Sequence, residues 1–439
     1  MNAPATGLAA RERAHTVLHE VLDRGRPLDE VLHTDLRLAK LNERDRAFVR
    51  NLVATTLRRL GQIDAMLDDC LDRPLPRSAA AARNALRIGA CQILFLDVQT
   101  HAAVDTSVAL CAHRGPDRFK GLVNAILRRI ARETPESLES KYPPALNLPA
   151  WLRECWTEAY GAEETSAILA ACLAVPPVDL TVKSDPAGWA ARLGGIPIAG
   201  NTIRLERATG IATLPGFAEG DWWVQDAAAA LPAQILMSAL SGAMPADVCD
   251  ICAAPGGKTA QLAAAGLGVT AVDVSAPRLR TVRENLRRLG LAAALVEADA
   301  TVWLPETPFA GALLDAPCTA TGTIRRHPDI LHAKRPSDVG RQAAIQKKLL
   351  DRAAHTVGPG GTLVYSVCSL QPDEGSFQVD GFLSRHGDFR RAPVRADEIP
   401  GFENCLTAEG DVVTLPGRLA QPGGMDGFYI ARLQRREDA

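Results

Sequence analysis

The pattern of apolar positions changes character twice along this chain. From about Leu8 to Arg132 apolar residues recur at helical spacing, first at Ala14, Val17, Leu18, Val21 and Leu22. The same pattern runs through Ala47–Leu60, Ile63–Leu71, Ala79–Leu96, Ala102–Ala112 and Phe119–Ile130. It predicts an all-helical domain over residues 1–140, interrupted at Pro74, Pro76 and a Gly115-Pro116 turn. Pro135, Pro143, Pro144 and Pro149 then read as a linker or domain boundary. Helical spacing resumes over Trp151–Tyr160 and Glu163–Leu173, and Pro176-Pro177 opens a region of short strands from Val178 to about Val224. Residues 141–235 are therefore expected to form a small α+β linker domain.

From about Leu236 strand and helix patterns alternate. Strands are expected at Asp247–Ile251, Gly268–Val274, Ala293–Ala298, Gly311–Leu314 and Gly361–Ser366. Helices fit Thr259–Ala265, Ala276–Leu289, Asp338–Val357 and Pro372–Ser384. Such alternation implies a parallel sheet with helices on both faces, so residues 236–439 are expected to form an α/β domain. Val412–Leu415 and Phe428–Leu433 read as a closing antiparallel pair.

Composition narrows the class without naming it. The formal net charge of the 439 residues is -2, which by itself argues nothing about nucleic acid. The front segment from Met1 to Thr134 carries 21 Arg and Lys against 16 Asp and Glu, an excess of five positives. Ten cysteines are too sparse for a disulfide scaffold and fit a reducing cytoplasm. The Cys249-Asp250-Ile251-Cys252 spacing has no second Cys or His pair beside it, so no metal is expected. No signal pattern and no membrane-length apolar run is present.

Candidate chemistry lies on three loops, each after an apolar strand. The first is Cys252-Ala253-Ala254-Pro255-Gly256-Gly257-Lys258-Thr259. Its glycines allow backbone N–H groups to approach a ligand, and the helix that follows favours a negative group such as a carboxylate. Lys258 adds a counter-charge. The spacing is not that of a P-loop. Asp273 ends the next strand, where an acid commonly binds ribose hydroxyls, and Asp299 ends the following one, in position for an adenine edge. The second loop is Asp315-Ala316-Pro317-Cys318-Thr319-Ala320-Thr321-Gly322, and the third holds Cys368 in Tyr365-Ser366-Val367-Cys368-Ser369-Leu370. A glycine loop, an acid beside a cysteine and a second cysteine suit covalent methyl transfer to carbon 5 of a pyrimidine.

These motifs together resemble the RNA 5-methylcytosine methyltransferases. Val123-Asn124-Ala125-Ile126-Leu127-Arg128-Arg129 is similar to the close of the NusB-like RNA-binding domain found in one branch, the bacterial RsmB (Sun/Fmu) rRNA enzymes. Val224-Gln225-Asp226-Ala227-Ala228 and Asp426-Gly427-Phe428-Tyr429-Ile430-Ala431-Arg432-Leu433 are similar to the same branch. The resemblance implies a multidomain chain: an all-α NusB-like domain, a small α+β linker and a Rossmann-like methyltransferase domain. It implies S-adenosyl-L-methionine as cofactor, held by Cys252 to Lys258, Asp273, Asp299 and Asp315. It implies a cytosine of 16S rRNA, free or in a small-subunit precursor, as substrate of a cytoplasmic monomer. Two positions depart from the family: Val367 stands where Thr is usual before the nucleophile, and Val178-Asp179-Leu180-Thr181-Val182-Lys183-Ser184 replaces an Arg-Asn-like pair.

Carbon 5 of cytosine is a poor nucleophile until a thiolate adds to carbon 6. Sequence alone does not separate the two cysteines; the resemblance assigns the attack to Cys368. Cys318 is then expected to assist loss of the carbon 5 proton or expulsion of Cys368, and Asp315 to hydrogen-bond the base at N3 and N4. The base must leave any stack to be reached. Arg325, Arg326 and His327 are candidates to clamp flanking phosphates, and Arg11, Arg13, Arg128 and Arg129 to make sequence-independent RNA contacts. The rival readings are a tRNA or DNA cytosine methyltransferase and a non-catalytic ribosome-assembly factor. A DNA enzyme would use the Pro-Cys cysteine and need no second one. A non-catalytic factor is expected to have lost a loop, and both are intact.

Overall fold

The structure is a computed structural model that describes residues 7–114, 119–133, 140–206, 210–242, 245–419 and 423–437. The expected Gly115-Pro116 turn and Pro135 lie outside the described residues. Contacts divide the chain into two compact units, one of residues 1–173 with 324–334 and one of residues 174–323 with 335–439.

The first unit is helical. Its core gathers the apolar stripes of Leu8–Leu22, Glu43–Arg58, Leu60–Asp69, Ala80–Phe95, Thr100–Arg114 and Lys120–Ile130, with Val17, Leu18, Leu52, Leu86 and Leu127 fully buried. Leu28–Thr34 and Leu36–Ala39 are short helices that the apolar pattern did not announce; Asp35 starts the latter by accepting from Arg37 N and Leu38 N. The proline-rich stretch is not a free linker. Pro144–Asn147 forms a 3-10 turn, and Asn147 and Gln62 bond reciprocally: Gln62 N donates to Asn147 Oδ1 at 3.0 Å and Asn147 Nδ2 to Gln62 Oε1 at 2.7 Å. A Cβ on Gly61 would lie 1.9 Å from the Leu146 carbonyl oxygen, so only glycine permits this approach. The helices Ala150–Tyr160 and Ala162–Leu173 also belong to this compact unit, which runs to residue 173.

The second unit holds two sheets. A four-stranded antiparallel sheet joins β1 (Val178–Val182), β2 (Ile196–Ala199), β3 (Thr202–Leu205) and β4 (Trp222–Val224) in the order β2-β3-β1-β4. In it Asp179 is fully buried and grips Arg204 through two hydrogen bonds of 2.7 Å, and its Oδ2 also accepts from Ala227 N at 3.1 Å. The departure noted at Asp179 thus serves an internal ion pair.

The large sheet has the order β10-β12-β9-β8-β5-β6-β7, with β11 paired to β12. Its strands are β5 (Asp247–Ile251), β6 (Gly268–Asp273), β7 (Ala294–Glu297), β8 (Phe309–Asp315), β9 (Val357–Val367), β10 (Phe389–Arg391), β11 (Val412–Thr414) and β12 (Phe428–Arg435). β7-β6-β5-β8-β9 run parallel, and β12 pairs antiparallel to β9, β10 and β11. The centres of β8 and β9 are apolar runs buried on both faces, as a covered parallel sheet requires, and β5, between β8 and β6, is buried too but carries Asp250. The helix Ala227–Ala239, started by Asp226 and almost wholly buried, packs on β8, β9 and β12. The expected boundary at residue 235 falls inside it; its all-round apolarity marks a core helix of the sheet domain.

Candidate active site

Strand order reverses between β5 and β8, because the chain builds outward through β6 and β7 before returning to β8 on the other side. The crevice at the carboxyl ends of the strands there is where such sheets bind ligands. The glycine loop leaves the end of β5, the Asp315–Cys318 loop the end of β8, and Cys368 the end of β9.

The glycine loop is built for close approach. Gly256 has φ +100°, in the left-handed region that side chains avoid, and a Cβ there would meet Val282 at 3.0 Å. It precedes the helix Gly257–Ala264, whose first N–H groups have no intrahelical partner by construction. Asp273 fixes the loop from the next strand: its Oδ2 accepts from Ala254 N at 3.2 Å, its Oδ1 from Ser275 N at 3.0 Å, and Arg278 lies 3.5 Å away. Each oxygen keeps a lone pair for a further donor. Asp299, at the end of β7, is exposed; its Oδ1 accepts from Thr301 N at 2.9 Å and from Thr301 Oγ1 at 2.7 Å. Those two bonds hold its carboxyl below the usual carboxylate range. The open glycine turn at a helix start, the buried acid at the next strand end and the exposed acid beyond it fit a small ligand with a carboxylate at one end and hydroxyls further along. Cys252, Ala253, Ala254 and Pro255 form the turn between β5 and Gly256. Burial pushes the Cys252 thiol up to about 12, and Cys249 is fully buried on β5.

Asp250, beneath this loop, carried no signal in the sequence. It is fully buried; its Oδ2 accepts from Thr259 Oγ1 at 2.5 Å, and burial raises its carboxyl to about 7.

Lys258 joins the glycine loop to the second loop. Its Nζ lies 2.7 Å from Asp315 Oδ2 and 5.3 Å from the centre of the Phe428 ring. Burial pulls its pKa down, but Asp315, Asp250 and Cys368 outweigh that and hold it above the ordinary lysine value. The other Asp315 oxygen accepts from Ser366 Oγ at 3.0 Å, because Asp315 and Ser366 are partners across β8 and β9.

The same pairing brings the cysteines together. The Cys318 and Cys368 sulfurs are 3.4 Å apart as free, half-buried thiols. The contact with Cys368, and then burial, hold the Cys318 thiol well above the ordinary range, and either sulfur can be the donor of the hydrogen bond between them. Gly322 N donates to the Cys368 carbonyl at 3.0 Å, and Gly427 N to the Gly322 carbonyl at 2.8 Å. A Cβ on Gly322 would meet the Gly427 carbonyl oxygen at 1.9 Å, which explains the glycine that ends the motif. Val367, the departure before Cys368, is fully buried in β9 and places no group in the site. A shallow groove lined by Asp247, Gly268, Ala294 and Phe309 lies at the opposite end of the strands and shares none of these groups.

The three candidate phosphate clamps sit in different surroundings. Ile324–Lys334 belongs to the first unit, and Arg325 is fully buried there, its carbonyl accepting from Arg58 Nη2 at 2.8 Å. His327 Nδ1 lies 3.0 Å from Asp29 Oδ2. Arg326 is half-buried. Arg11 and Arg13 are buried as well, Arg11 donating to Gln92 at 2.6 Å and Arg13 facing Asp35 at 3.7 Å, whereas Arg128 and Arg129 are exposed.

Comparison with known proteins places these features. Residues 238–434 match the family described as 16S rRNA methyltransferase RsmB/F, and residues 8–132 match the NusB family. The chain is 36% identical over 448 residues to ribosomal RNA small subunit methyltransferase B of Xanthomonas campestris pv. campestris, covering 98% of each chain. It is 34% identical over 443 residues to the protein of the same name from Escherichia coli, covering 97% of this chain and 98% of that one. Among solved structures, that of PH0851 is similar over 99% of this chain and 100% of its own, with a TM-score of 0.75 at 23% identity. NSun6 from Pyrococcus horikoshii, solved with SFG, covers 65% of this chain and 98% of its own, with a TM-score of 0.54 at 18% identity. With its motifs, its two matched regions and its full-length relatives in agreement, the chain belongs to the RsmB/F family of 16S rRNA methyltransferases, in a form that carries a NusB domain ahead of the methyltransferase domain.

Proposed function

We propose that this protein methylates carbon 5 of a cytosine in 16S rRNA through a covalent adduct between Cys368 and carbon 6, acting as a monomer. The observation that carries the reading is the 3.4 Å approach of the Cys318 and Cys368 sulfurs beside the Lys258–Asp315 pair. S-adenosyl-L-methionine, bound along the glycine turn with Asp273 and Asp299, supplies an electrophilic sulfonium methyl group.

The chain's own groups divide the work. The Cys368 sulfur adds to carbon 6, and the displaced electron pair makes carbon 5 nucleophilic. The Lys258 ammonium interacts electrostatically with Cys368. Asp315, oriented by Lys258 and Ser366, accepts from the exocyclic N4 amine and holds the ring edge. After methylation the carbon 5 proton leaves to solvent, the carbon 6–sulfur bond breaks, and its electron pair returns to Cys368. Cys318, whose sulfur lies 3.4 Å from that of Cys368, assists expulsion of the thiolate.

Mapping 5-methylcytosine in 16S rRNA from cells with and without this protein tests the proposal. One cytosine should lose its mark on deletion and regain it when purified protein, donor and rRNA are combined. Loss of a mark in tRNA alone, or of a methyl group at another ring position, would overturn it.

A further inference from the structure

One carboxylate ties the two cysteine loops together. Glu374, fully buried, ends the 3-10 turn Pro372–Glu374 that follows Cys368. Its Oε1 accepts from Thr319 N at 2.9 Å and from Gln346 Nε2 at 3.1 Å. Its Oε2 accepts from the Thr319 hydroxyl and from Ser369 Oγ at 2.5 Å. Thr319 follows Cys318 in the chain, and Ser369 follows Cys368. Around them Ser369 Oγ lies 3.2 Å from both the Thr319 and the Thr321 hydroxyls, and Leu370 N donates to Thr321 Oγ1 at 3.0 Å. The Tyr365 hydroxyl, donating to the Glu374 carbonyl at 2.6 Å, fixes the turn itself.

We propose that Glu374 is the positioning residue of the two-cysteine reaction: it sets the Cys318 sulfur against the Cys368 sulfur. The inference rests on the covalent reading above. A carboxylate offers acceptors at both oxygens and donates at neither, which suits four converging donors. An amide of the same shape would turn a donor toward the Thr319 and Ser369 hydroxyls and loosen one loop against the other. Glu374 makes no hydrogen bond to either sulfur; it is tied to the site through the residues after the cysteines, and its charge also acts on Cys318.

The test compares Glu374→Gln and Glu374→Ala with wild type and Cys318→Ala. If Glu374 positions Cys318, release of methylated RNA slows in Glu374→Gln: kcat falls roughly tenfold to a hundredfold while KM for RNA stays within about twofold. The steady-state fraction of enzyme joined to RNA then rises toward that of Cys318→Ala. A purely structural role would lower the active fraction without raising the joined fraction. A kcat loss with no rise in joined enzyme, while Cys318→Ala does accumulate it, overturns the proposal and leaves the covalent reading standing. A second measurement needs no RNA. Diamide takes two electrons and two protons from a pair of thiols as they form a disulfide, and peptide mapping reports the Cys318–Cys368 product. That product should form roughly tenfold more slowly in either folded Glu374 variant. Equal rates overturn the positioning role. If neither Cys318→Ala nor Cys368→Ala accumulates joined RNA, the covalent reading fails and the diamide rates alone decide the role of Glu374.

Discussion

The loop from Asp315 to Thr323 and the segment from Ile324 to Lys334 are consecutive in sequence and opposite in use. Both are rich in polar and charged residues, and both follow the same strand, β8. In the loop, polar groups bond to one another so that two sulfurs and one carboxylate stay half-exposed at the strand ends. In the segment, they are taken up inside the helical unit: the Arg325 carbonyl accepts from Arg58, Asp329 Oδ2 accepts from Leu28 N at 3.0 Å, and the His332 ring nitrogen lies 2.8 Å from the Leu57 carbonyl. Burial of Arg58 even pulls its pKa down to about 10. A charge beside a reactive cysteine is therefore no sign of a ligand contact; what decides is the unit in which its side chain is packed.

The sharpest break in this comparison lies within the loops. Cys368→Ala removes the attacking sulfur, so turnover should vanish and no covalent complex should form. Cys318→Ala leaves attack and methylation intact but slows release, so labelled RNA and donor should give a slow-migrating band on a denaturing gel. The double variant should give none. A band from Cys368→Ala would reverse the two roles.

The second break contrasts Arg325 with its neighbour. Arg325→Ala empties a fully buried site and should destabilise the helical unit by about 3 kcal/mol. The RNA affinity of its folded fraction should keep the wild-type salt slope. Arg326→Ala should leave the melting temperature within about a degree, and if Arg326 meets a phosphate the salt slope should fall by about one. A reduced salt slope for Arg325→Ala would restore it as a phosphate contact.

What was legible in the sequence follows the same division. The large sheet could be read strand by strand because its central strands are short apolar runs closed by Gly, Asp or Pro; β5 spans Asp247–Ile251 and the next long helix Ala276–Leu289, as the pattern predicts. The glycine loop and both cysteines stood out in the sequence because each follows an apolar strand, and the fold puts all three at strand ends. Glu374 and Asp250 were not: a buried carboxylate has no periodic signature, and its partners lie up to 55 residues away. The first compact unit runs past the prolines because they mark a break in helix, not a break in packing. Asn147 and Gln62 close that gap through bonds that sequence spacing does not reveal. Strand β10 was missed because three residues, Phe389–Arg391, are too few to show alternation.

The most pH-dependent effect concerns Asp250, the buried carboxyl beneath the glycine loop. Its carboxyl is raised from the ordinary carboxylate value to about 7, first by burial, against the opposing pull of the Thr259 hydroxyl and Lys258. The folded state therefore holds a proton that the unfolded chain releases near pH 4. Between about pH 4 and pH 7 the native protein binds more protons than the unfolded one, so this group makes stability fall as pH rises through that window. Above pH 7 both states are ionised and the full cost is present. Asp250→Asn keeps an acceptor for the Thr259 hydroxyl and removes the charge. It should melt a few degrees higher than wild type at pH 8 and show a flatter stability profile between pH 5 and pH 7. At pH 4, where folded wild type is already neutral at this position, the two should melt together. A variant less stable than wild type at pH 8 would mean that the ionised Asp250 is held by the Lys258 ammonium after all, and that the floor of the glycine loop is an ion pair and not a protonated acid.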